Sequence, residues 1–318
     1  MKAGVIEGAP PDPMIERREL VQRVARQTLA RRVRISRGIV ALCGLALVLG
    51  LIPLFAILYS LISKGFRWLS VDFFTQTPQF PSLVDPNAIG GISNAIIGSL
   101  VIDGIAALFA IPIGLVAGLF LAESNSRFAG LLRKTAEIMT GLPSILLGIF
   151  AYQILVIGFN EWGIKLPGIG FSAVAGSFAI GILMIPIIMK AAESALRRVP
   201  APVREAGLAL GARRGVIARK VVIPTALPGL ITAVLLALSR AVGETAPILW
   251  VIGASTVVNW NPKKQMASMP LQIFQSATSP YVSLRDETWG IALFLVFVVL
   301  VLNLGSRLFA GWLQRERR

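Results

Sequence analysis

The sequence predicts an all-α, polytopic membrane protein with about six transmembrane helices. The first observation is composition: of the 318 residues, 55% are hydrophobic and only 15% are charged, whereas soluble globular domains are about 25% charged. The second is pattern, because a transmembrane helix needs about 20 consecutive, largely apolar residues. Six runs satisfy that requirement, at residues 38–62, 93–121, 138–159, 172–190, 227–252 and 289–310.

Lysine and arginine are unevenly distributed between the loops that join these runs. With the N-terminus inside, 24 of them fall in cytoplasmic segments and 6 in external segments. Cytoplasmic loops of membrane proteins carry an excess of these residues, so both termini are predicted to be cytoplasmic. The formal net charge of +15 is therefore a signal of topology, and we expect no nucleic-acid partner. The remaining basic residue, Arg240, lies inside the fifth run.

Several kinds of chemistry are excluded by residues that the sequence lacks. It contains no histidine, which removes imidazole metal sites, Ser-His-Asp triads and histidine acid–base catalysis. It also contains no Gly-x-x-x-x-Gly-Lys-Ser/Thr loop for nucleotide phosphates. The single cysteine, Cys43, lies inside an apolar run and is expected to be a small buried side chain. We therefore expect a protein that is not an enzyme and binds no metal or cofactor of its own.

Differences in composition predict two domains. Residues 1–34 are rich in arginine and contain several prolines, which predicts a cytoplasmic extension with an amphipathic helix on the membrane surface. Residues 35–318 are predicted to form the transmembrane domain. Its external segments 63–88 and 253–288 contain proline, serine, asparagine and aromatic residues, and we expect them to pack over the external mouth.

The cytoplasmic segment 191–224 is predicted to contain a short helix. Pro200 and Pro202 suit the opening turn of a helix, and Gly211 suits its end. Small residues along this helix would let another backbone approach closely, and the surrounding arginines suit an acidic partner. The residue pattern leaves two interpretations open: a helix that inserts into a groove of another protein, or an ordinary helix on the membrane surface.

Three ionisable residues lie deep inside the predicted spans, namely Asp103, Arg240 and Glu244. A charge in the bilayer costs at least about 2.5–3.5 kcal/mol, so such residues normally face a bundle interior or a water-filled cavity. Arg240 and Glu244 are four residues apart and share one helix face. Asp103 is about midway along the second span, which allows it to lie at a depth similar to that of Arg240.

The backbone near these charges is predicted to be irregular. Gly243 weakens a helix and Pro247 removes a hydrogen bond, so we expect a kink or an unwound turn near residues 243–247. Irregular backbone at membrane depth is tolerated only where it is buried in protein or lines a cavity. Ser239 and Thr245 add hydroxyl groups nearby. With the three charges, these hydroxyls form the candidate substrate pathway, and Gly243 and Pro247 form its candidate hinge.

The charges have two interpretations. One is a self-neutralising structural ion pair between Arg240 and Glu244, with Asp103 as a third member. The other is an anion site on a transport path, because an arginine fork matches phosphate oxygens. In that case the carboxylate of Glu244 would accept a hydrogen bond from a protonated phosphate and would weaken binding enough for release. The residues alone leave both interpretations open.

The loop carries a resemblance to a known motif. The stretch Glu205-Ala206-Gly207, then Gly211, then Val221-Val222-Ile223-Pro224 resembles the EAA motif of ABC importer permeases, which ends in Ile-x-Leu-Pro. The resemblance implies the type I permease fold of ABC importers. It also implies that this loop is a coupling helix, which docks into a groove of a cytoplasmic ATPase. The implied coupling residues are Glu205, Ala206, Gly207, Gly211 and Pro224.

A second resemblance narrows the family. The stretch Ser239-Arg240-Ala241-Val242-Gly243-Glu244-Thr245-Ala246-Pro247 resembles the Ala-Arg-Ala-x-Gly-Glu-Thr-Ala-Pro stretch of phosphate importer permeases. Three further stretches, at residues 90–99, 141–148 and 269–274, resemble the PstA branch of that family. The similarity covers roughly residues 35–312 and leaves residues 1–34 outside it.

The resemblance implies a multi-subunit importer in the bacterial plasma membrane, surrounded by membrane lipid. This chain would pair with a PstC-like permease, two PstB-like ATPases that bind ATP and Mg²⁺, and a PstS-like protein that delivers inorganic phosphate. Four alternatives stay open. They are a PstC-type sister subunit, a permease for another oxyanion, an ion-coupled secondary transporter and a membrane-embedded enzyme.

Overall fold

The computed structural model of this chain describes residues 13–79, 90–159 and 165–315, and they form an all-α fold. The chain divides into two compact units, residues 1–60 and 61–318. Helix α1 is Pro13–Gly65, and its side chains from residue 31 to residue 50 are exposed. Cys43 is therefore exposed, and the expectation of a buried cysteine is wrong. The surface helix predicted within residues 1–34 is, from Pro13 onward, part of this continuous 53-residue helix.

The second unit contains ten further helices among its described residues. Short helical turns at Phe66–Trp68, Tyr152–Ile157 and Ala218–Val222 extend or connect them. The helices are α2 Val71–Thr75, α3 Ser93–Glu123, α4 Arg127–Gly141, α5 Ser144–Ala151, α6 Ala173–Arg197, α7 Ala201–Ala209, α8 Arg214–Ile217, α9 Ile223–Val242, α10 Met269–Ala277 and α11 Val282–Arg315. A two-stranded antiparallel ribbon pairs β1 Gly158–Phe159 with β2 Leu166–Pro167.

Helix α6 is the centre of the second unit. It packs most extensively against α3 and also contacts α9, α5 and α4. The contact with α3 is close because glycines face it. A Cβ atom at Gly114 would lie 2.7 Å from Cβ of Ile188, and one at Gly118 would lie 2.7 Å from Cβ of Ala192. Small residues at this spacing allow two helix backbones to approach within a membrane.

Five of the six predicted apolar runs are confirmed as helices long and apolar enough to cross a membrane. The third, 138–159, falls on two helices that pass the same test only together, as one bent pair. Helices α4 and α5 meet at a bend of 100°, because Leu142 and Pro143 adopt extended backbone conformations. Proline disfavours the helical conformation of the residue before it, so the helix that begins at Arg127 ends at Gly141.

The fifth predicted run, 227–252, is also wrong in extent. Helix α9 ends at Val242, and the chain continues in turns to Gly253, which has a φ of 74°. The expectation of irregular backbone near 243–247 is confirmed. Residues of the segments 63–88 and 253–288 pack together: Phe73 forms a buried cluster with Ala267 and Met269, which Ile92 and Ile291 complete. Their place over the external mouth stays a prediction.

Candidate translocation and coupling sites

The substrate-pathway residues lie where α9 ends. The amide of Gly243 donates to the carbonyl of Arg240 at 3.1 Å, and the amide of Glu244 donates to the carbonyl of Ala241 at 3.1 Å. These bonds span three residues rather than four, so the last turn of α9 is tightened before the helix stops. Pro247 lies in the following turns and is buried. The broken end of α9 therefore places Arg240 in the final helical turn and Glu244 just beyond it.

Arg240 and Glu244 form an ion pair, which was one element of the two interpretations left open by the sequence. Nε of Arg240 donates to Oε1 of Glu244 at 3.1 Å. The arginine side chain is 56% exposed and the glutamate side chain is 17% exposed. Because a guanidinium group has five N–H donors, four of them lie outside this bond. The pair is thus neutral overall, but its cationic side keeps donors that face outward from the chain.

Asp103 and Glu244 line one crevice. Asp103 is buried in α3, and Ser99 and Ser268 also line the crevice. The crevice has an empty volume of about 170 Å³ and is too narrow to admit a water molecule. Among the described residues, the ion pairs include Arg240 with Glu244 but none with Asp103. The structure therefore brings two carboxylates to one crevice instead of forming a three-membered ion cluster.

The two predicted hydroxyl residues do not join the charges. The hydroxyl of Ser239 donates to the carbonyl of Leu236 at 3.0 Å and lies 3.3 Å from Oδ1 of Asn303. It therefore belongs to the contact between α9 and α11. Thr245 is half-buried in the turn after α9, and its carbonyl accepts from the amide of Leu249 at 3.2 Å. Among the hydroxyl groups, the crevice is instead lined by Ser99 and Ser268, which the sequence analysis did not single out.

Helix α5 supports the break in α9 directly. A Cβ atom at Gly148 would lie 2.6 Å from the carbonyl oxygen of Pro247. Only glycine therefore allows α5 to approach the turn that follows α9. The stretch at residues 141–148 had been noted for its resemblance alone, and this contact gives its second glycine a physical role.

The predicted helix of the 191–224 loop is confirmed as α7. It begins after Pro200 and ends in a Schellman motif. The amide of Gly211 donates to the carbonyl of Leu208 at 2.9 Å, and the amide of Ala212 donates to the carbonyl of Gly207 at 3.2 Å. Gly211 has a φ of 80°, a conformation that favours glycine. The prediction that Gly211 ends this helix is therefore confirmed.

The coupling residues are distributed over two sides of α7. Glu205 and Ala206 are exposed. Gly207 faces α8, since a Cβ atom there would lie 3.0 Å from Cδ1 of Ile217. Pro224 is the second residue of α9, a position at which helices tolerate proline. The loop thus presents one open face and rests its other face on α8.

Polar contacts that the sequence analysis missed fasten α7 to the spans. Arg204 pairs with the carboxylate of Glu123 at the end of α3, and its Nη2 donates to the carbonyl of Leu196 in α6 at 2.8 Å. The sequence feature that could have indicated this role is the position of Arg204 directly before Glu205, a predicted coupling residue. Helix α7 is therefore linked to both α3 and α6 by one side chain.

A second missed group, the Glu193 cluster, consists of Glu193, Arg133 and Arg197. Oε1 of Glu193 accepts from Nη2 of Arg133 at 2.7 Å and from Nε of Arg197 at 2.9 Å. Both arginines also donate to the carbonyl of Leu121, at 3.4 and 3.0 Å. The cluster ties α3, α4 and α6 together. Its sequence signal was the four-residue spacing of Glu193 and Arg197, which the predicted end of the fourth run at residue 190 concealed.

Comparison with known proteins identifies the family. The family model described as "Binding-protein-dependent transport system inner membrane component" matches residues 110–318. The chain belongs to this family. It is accordingly a multi-pass protein of the bacterial inner membrane, with α6, α7 and α9 all inside the matched region.

Two named proteins are similar to this chain over most of their length. The chain is 37% identical to "Phosphate transport system permease protein PstA" of Haemophilus influenzae, over 86% of this chain and 93% of that protein. It is 33% identical to "Phosphate transport system permease protein PstA 1" of Mycobacterium tuberculosis, over 92% of each.

Two solved structures share the fold. One is the inward-facing MetNI methionine ABC transporter, with a TM-score of 0.55 at 19% identity, covering 70% of this chain and 95% of that chain. The other is a bacterial ABC transporter involved in the import of the acidic polysaccharide alginate, with a TM-score of 0.57 at 13% identity, covering 89% of this chain and 98% of that chain. The predicted ABC importer permease fold is confirmed.

Proposed function

We propose that this chain is the PstA-type permease subunit of an ATP-driven phosphate importer and forms half of its translocation pathway. The observation that carries the proposal is the half-exposed Arg240–Glu244 pair at the broken end of α9, in a chain 37% identical to a named phosphate permease. The partners would be a PstC-like permease, a dimer of PstB-like ATPases and a PstS-like phosphate-binding protein. ATP and Mg²⁺ would bind to the ATPases, and this chain would be non-catalytic.

The chemistry of the pair suits transient binding of phosphate. The free donors of Arg240 match the geometry of phosphate oxygens. The carboxylate of Glu244 repels a fully ionised anion but accepts a hydrogen bond from a protonated phosphate oxygen. Because Glu244 also cancels part of the arginine's charge, the bound anion would be held weakly enough to leave. Balanced charge at the pair therefore favours passage over tight binding.

Helix α7 would couple this pathway to ATP hydrolysis. Its exposed face at Glu205 and Ala206 would dock into a groove of the ATPase. Movement of the docked helix would reach the spans through Arg204, which contacts both Glu123 and the carbonyl of Leu196. In this arrangement Gly243 and Pro247 would allow the turn after α9 to change shape while the helices stay intact.

The test is ATP-dependent uptake of radiolabelled phosphate into proteoliposomes that contain the assembled complex. We expect Arg240→Gln to reduce uptake at least about tenfold, the effect of about 1.4 kcal/mol, while assembly and ATPase activity persist. Arg67→Gln is the matched control, because Arg67 forms a similarly exposed ion pair with Asp286 at 3.3 Å and lies away from α9.

Each other outcome has a definite meaning. Unchanged uptake in Arg240→Gln would make the pair a structural element and remove it from the pathway. If the unmodified complex moved sulfate or molybdate but no phosphate, the chain would be a permease for another oxyanion. Uptake without any ATPase partner would make it a secondary transporter.

A further inference from the structure

A cavity of about 420 Å³ lies between the start of α3, helix α10 and the start of α11. The loop after the α9 break forms another wall, through Gly253 and Ser255. This cavity shares Ser268 with the crevice beside Asp103, but neither Asp103 nor Arg240 lines it. By the predicted topology it lies on the external side of the membrane.

Three buried side chains that line this cavity keep an oxygen atom without a hydrogen-bond partner. They are Oδ1 of Asn94, Oε1 of Gln272 and Oε1 of Glu287. Their residues are 3%, 8% and 1% exposed. The orientation of the Asn94 amide is fixed, because its Nδ2 donates to the carbonyl of Ser255 at 2.7 Å. Buried acceptors without donors are rare in native proteins and call for an explanation.

The charge of the cavity decides which partner would satisfy these oxygens. Glu287 is the one acidic residue among the described residues that line it, and neither lysine nor arginine is among them. Such a lining offers an anion no cationic partner, so the cavity is unsuited to phosphate. The three unpartnered atoms are all acceptors, and what they require is a donor or a positive charge.

We propose that this cavity binds a monovalent alkali-metal cation through Glu287, Asn94 and Gln272, with water completing the coordination. Carboxylate and amide oxygens are hard ligands of the kind that such cations accept. One carboxylate balances one positive charge, whereas Ca²⁺ sites commonly use several carboxylates. No group of three or more acidic, histidine or cysteine side chains suitable for a metal occurs among the described residues. The volume exceeds a bare ion and leaves room for waters of about 30 Å³ each.

Binding would join three parts of the chain that are distant in sequence. Asn94 lies in the first turn of α3, Gln272 lies in α10, and Glu287 lies near the start of α11. A cation between them would hold α10 against the ends of two spans. The binding is independent of the transported substrate, so it stands or falls separately from the phosphate proposal.

The test measures thermal unfolding of the assembled complex in detergent, in sodium chloride, potassium chloride or N-methylglucamine chloride at one ionic strength. We expect the midpoint to rise and saturate with sodium or potassium but not with the organic cation, because a ligand that binds the folded state stabilises it. The comparison of the two salts identifies the preferred ion. Glu287→Gln should abolish the response.

Two more variants test whether the response to cations comes from this cavity. Asp286→Asn changes the neighbouring carboxylate, which pairs with Arg67 and does not line the cavity, so the response should remain. Gln272→Leu keeps Glu287 and should raise the half-saturating concentration roughly tenfold, which provides a result even if Glu287→Gln does not assemble. Identical midpoints in all three chlorides would overturn the proposal and indicate a protonated Glu287 with bound water. A full response in Glu287→Gln and Gln272→Leu would also overturn it, by placing the cation elsewhere.

Discussion

The chain contains two arginine–glutamate groups that differ in how completely they are satisfied. In the Glu193 cluster the carboxylate is 10% exposed, two guanidinium groups share it, and both also reach the carbonyl of Leu121. In the Arg240–Glu244 pair one bond joins the partners, and the arginine is 56% exposed. The first group is built to hold helices together. The second leaves donors for something outside the chain.

The largest expected effect comes from Glu193→Gln. The variant leaves Arg133 and Arg197 around a neutral amide, and we expect it to lower the free energy of unfolding by about 2 kcal/mol. Loss of one partner from a fully buried ion pair costs about 3–5 kcal/mol, and this smaller figure allows for the water that reaches both arginines. SDS titration of the purified complex measures the change. Glu137→Gln, on the exposed side of α4, is the control and should change little.

Gly148→Ala tests whether the α9 break depends on its contact with α5. The new methyl group would lie 2.6 Å from the carbonyl oxygen of Pro247. We expect a loss of stability of about 1–2 kcal/mol, in the lower part of the range typical of overpacking, together with reduced phosphate uptake. Gly104→Ala is the control, because nothing lies within 4 Å of a Cβ atom there. Wild-type uptake and stability in Gly148→Ala would show that the break does not depend on this approach.

Arg204→Gln separates transmission from stability. The variant removes the charged contact with Glu123 and weakens the one with the carbonyl of Leu196. A charge-assisted hydrogen bond contributes about 1.5–3 kcal/mol, and we expect phosphate moved per ATP hydrolysed to fall about three- to tenfold. Arg213→Gln, exposed between α7 and α8, should leave the ratio unchanged. An unchanged ratio in Arg204→Gln would mean that α7 acts on the spans by another route.

The smallest expected effect on stability is that of Glu244→Gln. An ion pair with so exposed an arginine contributes about 0–1 kcal/mol, so SDS titration should detect almost no change. Phosphate uptake should nevertheless change, because the variant leaves the charge of Arg240 uncancelled and slows release of the anion. A stability loss as large as that of Glu193→Gln would erase the distinction between the two groups.

The sequence predicted those features that depend on neighbouring residues. Gly243 and Pro247 were sufficient to predict irregular backbone after residue 242, although the fifth run was expected to continue to residue 252. Pro200 and Gly211 were sufficient to bound α7. Pro143 likewise indicates the bend between α4 and α5. Because the residues around it are apolar, the sequence analysis assigned them to one span. The four-residue spacing of Arg240 and Glu244 placed them on one helix face, where the structure pairs them.

Features that depend on residues distant in sequence could not be predicted. The Glu193 cluster needs α4 to lie against α6, and nothing in the local pattern indicates that contact. Asp103 was expected near Arg240 because of its depth, yet depth does not determine which face of α3 meets α9. The unpartnered oxygens of Asn94, Gln272 and Glu287 come together only after three elements have packed.

The end of α9 at Val242 also has a mechanical consequence. From Ile223 to Val242 the helix has 20 residues, which at 1.5 Å per residue make a rod of about 30 Å. Although Pro228 lies near its start, we expect this helix to carry a displacement of its Ile223 end, where the α7–α8 loop joins it, to Arg240. Beyond Val242 the chain is no longer part of the rod and is free to stay behind. The ion pair bridges this boundary, with its arginine on α9 and its glutamate on the segment that follows. We therefore expect a displacement of α9 relative to that segment to change the distance between the two charges.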